Sequence, residues 1–344
     1  MPHDHRPTAA PAHSASAHSA ATAATAHSAA TAHSAAEPGS EQQHGHTVDP
    51  GPGHSHGDGH GHGHGHGSSQ HGHEHHGHGG EADLTLPHLL DLDAEVARTQ
   101  VEALTAQIAD LAGDHPVRTI LDIGSGTGTG TFALLSRFPE AVSTTVDTSD
   151  EMLEHLAESA RRHGMADRIR PLRADLDAGW PSIDQVDLIW AASSMHHMAE
   201  PDRVLRDIRA TLRPGGLFVM VEMDAMPTFL PAGFANGLEE RCQAAAAKAR
   251  AEHLPHGGGN WTERLTTAGF TVLKEQRLTV EVPAPLPDNA LRYATTVLSR
   301  YRTALGDLIS PADLAALDEL LVPGALATQK IVSLTSTRDV WITR

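Results

Sequence analysis

Beyond residue 88 the apolar positions fall into two alternating rhythms, one helical and one strand-like. Leu89, Leu90, Leu92, Val96, Val101, Leu104, Ile108 and Leu111 recur near helical spacing, which predicts one or two helices over about 90 to 112. Val117 to Gly124 is a short apolar run closed by glycine, the pattern of a buried strand. The alternation continues with strands at 141–147, 169–173, 186–191 and 217–222. Between them lie helical segments that include Phe132, that follow Ser149 as N-cap, and that start at Pro201. Arg213-Pro-Gly-Gly216 is expected to stop the last of these helices before the fifth strand.

The rhythm is interrupted near 224–258, where an Ala-rich helix is predicted over 237–252. Asn260, with Glu263 three positions later, has the spacing of a capping box for a helix leading to Gly269. Phe270 to Val282 is a sixth strand, helical segments at roughly 288–306 and 311–321 form a second insertion near 286–330, and Ser333 to Arg344 closes as a seventh strand. Strands alternating with helices call for an α/β fold with a parallel, doubly wound sheet, whose ligands sit beyond the C-terminal strand ends. The two helical insertions are candidates for a lid over those ends.

Residues 1–80 have the opposite character. They contain 19 of the 27 histidines, one basic residue, six acidic ones and, among large apolar side chains, only Met1 and Val48. With no apolar surface to offset the entropy of ordering, this tail is expected to be disordered, and residues 81–344 to form the folded domain. Ala-His-Ser-Ala occurs four times within residues 12–35. Further on, His60, His62, His64 and His66 alternate with glycine and are followed by His71, His73, His75, His76 and His78. Imidazoles on so free a backbone suit nickel or zinc, although alternation alone selects no metal.

The domain carries 24 basic and 37 acidic groups, a net charge of −13 that repels nucleic-acid phosphates. A single cysteine, Cys242, excludes an internal disulfide and any multi-thiolate metal site, and suits a reducing cytoplasmic setting. No apolar run is long enough to span a bilayer, and the N-terminus lacks the charged and apolar parts of a secretory signal, so neither membrane nor export is expected. Oligomeric state leaves no signature in the sequence.

Asp122-Ile-Gly124-Ser-Gly126-Thr-Gly128 falls between a strand and a helix, where backbone can approach a ligand closely and helix amides face an anion. Thr129 or Thr131 stands where a dinucleotide fingerprint needs its third glycine, and the phosphate-binding Gly-Lys pair is missing. Asp122, Asp147 and Asp175 occupy three strand ends. Carboxylates there repel a pyrophosphate but suit ribose hydroxyls, an adenine amino group and a cationic sulfonium.

These motifs occur in a specific order: Leu-Asp-Ile-Gly-Ser-Gly-Thr-Gly, Val-Asp-Thr-Ser-Asp-Glu-Met-Leu, Ala-Asp-Leu-Asp, Ser-Ser-Met-His-His-Met and Leu-Arg-Pro-Gly-Gly. The set resembles class I S-adenosylmethionine-dependent methyltransferases over about residues 117–282. The resemblance implies a Rossmann-like seven-stranded sheet and methyl transfer from S-adenosylmethionine. It further implies that Gly124, Gly126 and Gly128 cradle the methionine part and that Asp147 takes the ribose hydroxyls. Asp175 with the Leu176 amide would read adenine, Thr148 and Met152 would flank it, and Asp122 would support the loop.

The acceptor is narrowed by what is missing. Ser193-Ser-Met-His196 does not match the Asn-Pro-Pro-Tyr motif of amino-methylating DNA enzymes, and Cys242 supplies neither a cytosine-C5 nucleophile nor an arsenite site. The chain looks most like small-molecule methyltransferases acting on an O, N or C nucleophile. Methyl transfer needs a base only when that nucleophile arrives protonated. His196 and His197, just beyond the fourth strand, are candidates for that base or for orienting their loop. Glu222, Asp224, His253 and His256 are further pocket candidates. The alternative function is a metal-binding or metal-responsive protein, in which the tail is the active part and the domain a cofactor sensor or scaffold.

Overall fold

The computed structural model describes residues 84–223, 225–251, 254, 256 and 259–344. The tail and all its histidines lie outside the described residues. The described residues begin with α1 (Leu86–Ala112), followed by β1 (Thr119–Ile123), α2 (Thr129–Arg137), β2 (Val142–Asp147), α3 (Asp150–Arg162) and β3 (Ile169–Arg173). Next come β4 (Val186–Ala192), a single 3-10 turn at Met195–His197, α4 (Pro201–Thr211) and β5 (Leu212–Met223). The C-terminal part adds α5 (Leu238–Ala251), α6 (Trp261–Thr267), β6 (Val272–Val282), α7 (Asp288–Ala304), α8 (Pro311–Leu320), the one-turn α9 (Ala325–Thr328) and β7 (Leu334–Thr343).

The seven strands form one sheet in the order β3-β2-β1-β4-β5-β7-β6. The first five run parallel, as the alternation of strands with helices predicts, but β7 is antiparallel to both β5 and β6, which corrects the expectation of a parallel sheet at that edge. The cause is the path of the chain. It leaves β6 at Val282, folds α7 to α9 beyond that end of the sheet, and re-enters at Leu334 from the same side.

Alternate strand residues face opposite layers. Ile120, Leu188, Trp190 and Val219 pack against α2, α3 and the C-terminal half of α1. Leu121, Ile123, Ile189 and Phe218 pack against α4 and α6. A third cluster joins Leu89 and Leu92 of α1 to Phe229, Leu238, Cys242, Tyr293, Val297 and Leu317, so both helical insertions and the start of α1 build one helical cap. One helix, α1, thus serves two cores, and Pro87 in its first turn needs no hydrogen-bond donor there.

Two local signals resolve in detail. The hydroxyl of Ser149 accepts the Met152 amide at 3.3 Å, and Asn260 Oδ1 accepts the Glu263 amide at 3.2 Å. The reciprocal bond of the expected capping box is different, because Glu263 Oε2 accepts from Asn260 Nδ2 at 3.3 Å and not from its backbone amide. Arg213 to Gly216 does not separate helix from strand. Extended backbone begins at Leu212, which pairs with Val186, and the register slips before Leu188 meets Leu217. No helix among the described residues is long and apolar enough to cross a membrane.

Candidate active site

The glycine loop connects β1 to α2 through three left-handed residues, Gly124, Gly126 and Gly128, with φ of 63°, 51° and 90°. Side chains disfavour this region, so the residue type is set by the backbone. Space is a second constraint at Gly124, where a Cβ would lie 2.4 Å from the Cβ of Ser194. Gly126 is more open, and a Cβ there would meet only the Leu90 side chain, at 3.3 Å. The start of α1 therefore lies over this loop.

Asp147, at the end of β2, ties the loop to the next helix. Its Oδ2 accepts the Gly126 amide and its Oδ1 the Ser149 amide, each at 2.9 Å. A carboxylate has about four acceptor positions, so both oxygens retain capacity for further donors. Asp122 lies beneath the loop, buried, with Oδ2 accepting the Thr131 hydroxyl at 2.5 Å. Burial pushes its pKa up to about 7; the Thr131 hydrogen bond opposes this and the nearby Asp147 charge adds to it.

Asp175 is exposed beyond β3, with Oδ1 accepting the Asp177 amide at 2.9 Å. Leu176 is buried, and its carbonyl accepts from Arg203 at 2.6 Å while its amide makes no hydrogen bond among the described residues. Met152 is buried in the first turn of α3, and Thr148 is half-buried beside it, its carbonyl accepting from Arg173. Glycine loop and acidic strand ends thus form one cleft margin. The hydroxyl of Ser125 within the loop is buried and has no partner, a polar atom left for a ligand to satisfy, and with the free Leu176 amide it makes these residues fit a nucleoside-bearing cofactor.

On the other side of β1, the loop after β4 is pinned at three points. Ser193 takes φ of 51° and donates its amide to the Val221 carbonyl at 2.7 Å, and the Ser194 hydroxyl donates to the Ile123 carbonyl at 2.8 Å. The third point is Glu222, buried near the end of β5. Its Oε1 accepts the Met195 amide at 3.0 Å, and its Oε2 bonds Nδ1 of His196 at 2.5 Å. The His196 and His197 rings lie 4.1 Å apart and tilted by 44°.

Other sequence candidates stand apart. His256 bonds the Ala199 carbonyl through Nε2 at 3.4 Å and Arg264 through Nδ1, so both ring nitrogens serve the loop. Asp224 and His253 lie outside the described residues. Three participants escaped the sequence reading: Ser194 as the spacer between loops, Leu90 over Gly126, and Arg203, which locks Leu176. Each acts through a long-range contact, and no local pattern marks it.

Residues 120–216 match the family described as a methyltransferase domain. The malonyl-[acyl-carrier protein] O-methyltransferase of Paenibacillus sp. (strain JDR-2) is 30% identical over 239 residues, covering 65% of this chain and 82% of that protein. The 27-O-demethylrifamycin SV methyltransferase of Amycolatopsis mediterranei (strain S699) is 30% identical over 138 residues, 39% of this chain and 49% of that relative. A solved SAM-dependent methyltransferase from Thiobacillus denitrificans, in complex with S-adenosyl-L-homocysteine, superposes with a TM-score of 0.40 at 18% identity, covering 70% of this chain and 90% of that one.

Proposed function

This chain belongs to the class I S-adenosylmethionine-dependent methyltransferases and is an enzyme of methyl transfer; from that premise we propose that its acceptor is a small molecule. When bound, S-adenosylmethionine supplies an electrophilic methyl group on a sulfonium centre. The chain's task is then to hold the acceptor at attack distance in a site that excludes water.

The observation that carries the reading is the Asp147 carboxylate, bonded at once to the glycine loop and to the start of α3. In this reading Gly124, Gly126 and Gly128 let backbone close on the methionine part, Asp147 accepts ribose hydroxyls, and Asp175 with the Leu176 amide meets adenine. Thr148 and Met152 flank the adenine ring, and Asp122 supports the loop from beneath. The names of the two relatives, one a malonyl-[acyl-carrier protein] O-methyltransferase and one a 27-O-demethylrifamycin SV methyltransferase, support a metabolite acceptor. The acidic domain supports a partner other than nucleic acid, and the single cysteine a cytoplasmic site of action. The histidines from His60 to His78 are proposed to bind nickel or zinc as a property separate from methyl transfer.

Calorimetry with S-adenosylmethionine tests the reading, with one site per chain expected; absence of binding overturns it. Incubation with methyl-labelled cofactor and a metabolite extract of the producing cells, followed by mass spectrometry, then identifies the labelled acceptor.

A further inference from the structure

We infer that the helical cap holds an anion subsite at the ends of α5 and α7, where Arg250 and the Tyr301 hydroxyl take a carboxylate or phosphate group of the acceptor. The inference rests on the methyltransferase reading above and deepens it, since it makes the acceptor an anionic metabolite.

Two polar groups inside the cap lack the partners that burial demands. Tyr301 of α7 is 1% exposed, and its hydroxyl has no hydrogen-bond partner. Arg250, in the last turn of α5, is half-buried and forms neither a hydrogen bond nor an ion pair among the described residues. Arginines drawn in from solvent elsewhere have acids beside them, as Arg338 has Asp93, Arg203 has Asp207 and Arg264 has Asp202. A water satisfies a hydroxyl, but it carries no charge to offset a guanidinium.

The two groups belong to one corner of the cap. On α5, Glu239, Cys242 and Ala246 form the buried stripe, and Arg250 continues it four residues on. Cys242, Ala246 and Tyr301 share one apolar core. Burial lowers the Arg250 pKa, and Tyr301 is near enough for its charge to oppose that shift. Burial likewise raises the Tyr301 pKa, with Glu239 adding to the rise and Arg250 opposing it. Glu239 lies three turns from Arg250, about 16 Å along the helix, and its oxygens accept the Phe229 and Leu230 amides.

This corner borders the cofactor cleft. Arg300, next to Tyr301 in the chain, donates from Nη1 to the Leu84 carbonyl at the start of α1, where Leu90 lies over Gly126. Its Nε is a further buried donor without a partner. Beyond the end of α5, His256 bonds the Ala199 carbonyl of the loop after β4. The ends of α5 and α7 are therefore tied to the two loops that rim the C-terminal strand ends.

The donor set selects the ligand chemistry. A guanidinium fork meets carboxylate or phosphate oxygens two at a time, and a phenol donates one more hydrogen bond to the same group. In a domain of net charge −13, an uncompensated cation marks where an anion can enter. The anion is an anchor and not the methylated atom: gripped in the cap, it holds the acceptor while the cleft presents another atom to the methyl group.

The test uses the full chain with 13C-labelled tyrosine. Its two tyrosines are Tyr293 and Tyr301, so the signal lost in Y301F identifies Tyr301. Wild type saturated with S-adenosylmethionine is titrated near pH 8, where the tail imidazoles are neutral, with acetate, inorganic phosphate and neutral acetamide. Acetate or phosphate is expected to move the Tyr301 signal saturably and acetamide to leave it in place. The anion that saturates at the lower concentration tells carboxylate from phosphate. R250Q is expected to need about tenfold or more of that anion, and R292Q, which removes an exposed cation paired with Glu95, no more than wild type. The acceptor labelled in the extract incubation is expected to be anionic, with KM raised about tenfold or more and kcat retained in R250Q. A Tyr301 signal that neither anion moves, an equal response to acetamide, an unchanged titration in R250Q, or a neutral acceptor each overturns the proposal. Should R250Q not fold, R250M, whose apolar chain keeps the packing of the stem, takes its place. Failure of the wild type to bind S-adenosylmethionine would instead remove the methyltransferase reading, and the Tyr301 titration, which needs no methyl transfer, would still decide the subsite.

Discussion

Gly130 and Trp190 contend for the same space: a Cβ on Gly130 would lie 2.2 Å from the indole nitrogen of Trp190. Trp190 is a lateral neighbour of Asp122 in the sheet register, and Asp122 bonds Thr131, the residue after Gly130. The first turn of α2 therefore rests on two adjacent strand side chains, one through a hydrogen bond and one through bare contact.

Gly130→Ala is accordingly expected to destabilise the protein. Alanine gains about 1 kcal/mol of helix propensity, but the indole is rigid and only 3% exposed, so overpacking of about 1–3 kcal/mol or more should win. Urea unfolding measures the difference. A higher midpoint in the variant would mean that α2 can lift from β4 at little cost.

Asp93 of α1 and Arg338 of β7 form a largely buried ion pair, with Arg338 Nη2 at 2.6 and 2.7 Å from the two carboxylate oxygens. The Tyr293 hydroxyl of α7 donates to the same Asp93 at 2.8 Å, and burial raises the Tyr293 pKa. Removing the cation alone, in Arg338→Met, strands a buried carboxylate and should cost about 3–5 kcal/mol. The double variant with Asp93→Leu should recover much of that loss. If the double variant is as unstable as the single one, packing and not charge dominates this joint between helical cap and sheet.

Much of this architecture was legible in advance, and the reason is locality. Strands β1 and β4 and the second half of β5 are apolar runs with turn residues at their ends, and the caps at Ser149 and Asn260 depend on residues three positions away. The reversal of β7 was not legible, because strand direction depends on where the chain re-enters the sheet. The one-turn α9 is too short to carry a period. In the site, the three acidic strand ends could be read in order. The bond from Glu222 to His196 could not, since 26 residues separate them and only the pairing of β4 with β5 brings them together.

Asp122 makes stability depend on pH with a definite sign. Its pKa is raised in the folded state to about 7, so its contribution is fully present below the unfolded value near 3.8 and is lost as pH rises through about 7. Linkage bounds the loss at about 4 kcal/mol. Glu239 contributes in the same direction, because burial raises its pKa to about 7 against the opposing amide bonds from Leu230 and Phe229. Asp122→Asn should flatten the fall in thermal midpoint between about pH 4 and 7 without abolishing it. Parallel curves for wild type and variant would contradict a protonated Asp122.

Asp147→Ala should weaken S-adenosylmethionine binding by about 1.5–3 kcal/mol, roughly ten- to a hundred-fold, through loss of charge-assisted bonds. The same change frees the Gly126 and Ser149 amides, so thermal stability must be measured alongside calorimetry. Unchanged affinity would remove Asp147 from the cofactor site. Equal losses of affinity and stability would make it a support of the loop.

Nickel binding separates the tail from the domain. Among the described residues no group of three or more histidine, cysteine, aspartate or glutamate side chains could hold a metal, whereas residues 1–80 carry 19 imidazoles. The full chain should therefore bind several nickel ions near pH 7.5 and release them toward about pH 5.5, as protonation removes the lone pairs that a metal needs. A chain starting near residue 81 should lose that binding and keep its affinity for S-adenosylmethionine, because the tail has almost no apolar surface with which to support the cofactor cleft. Nickel binding that survives truncation would reveal a domain site. A drop in cofactor affinity at equal stability would instead mean that the tail folds onto the domain, and a methyl-transfer rate that follows nickel occupancy would make the tail a regulator.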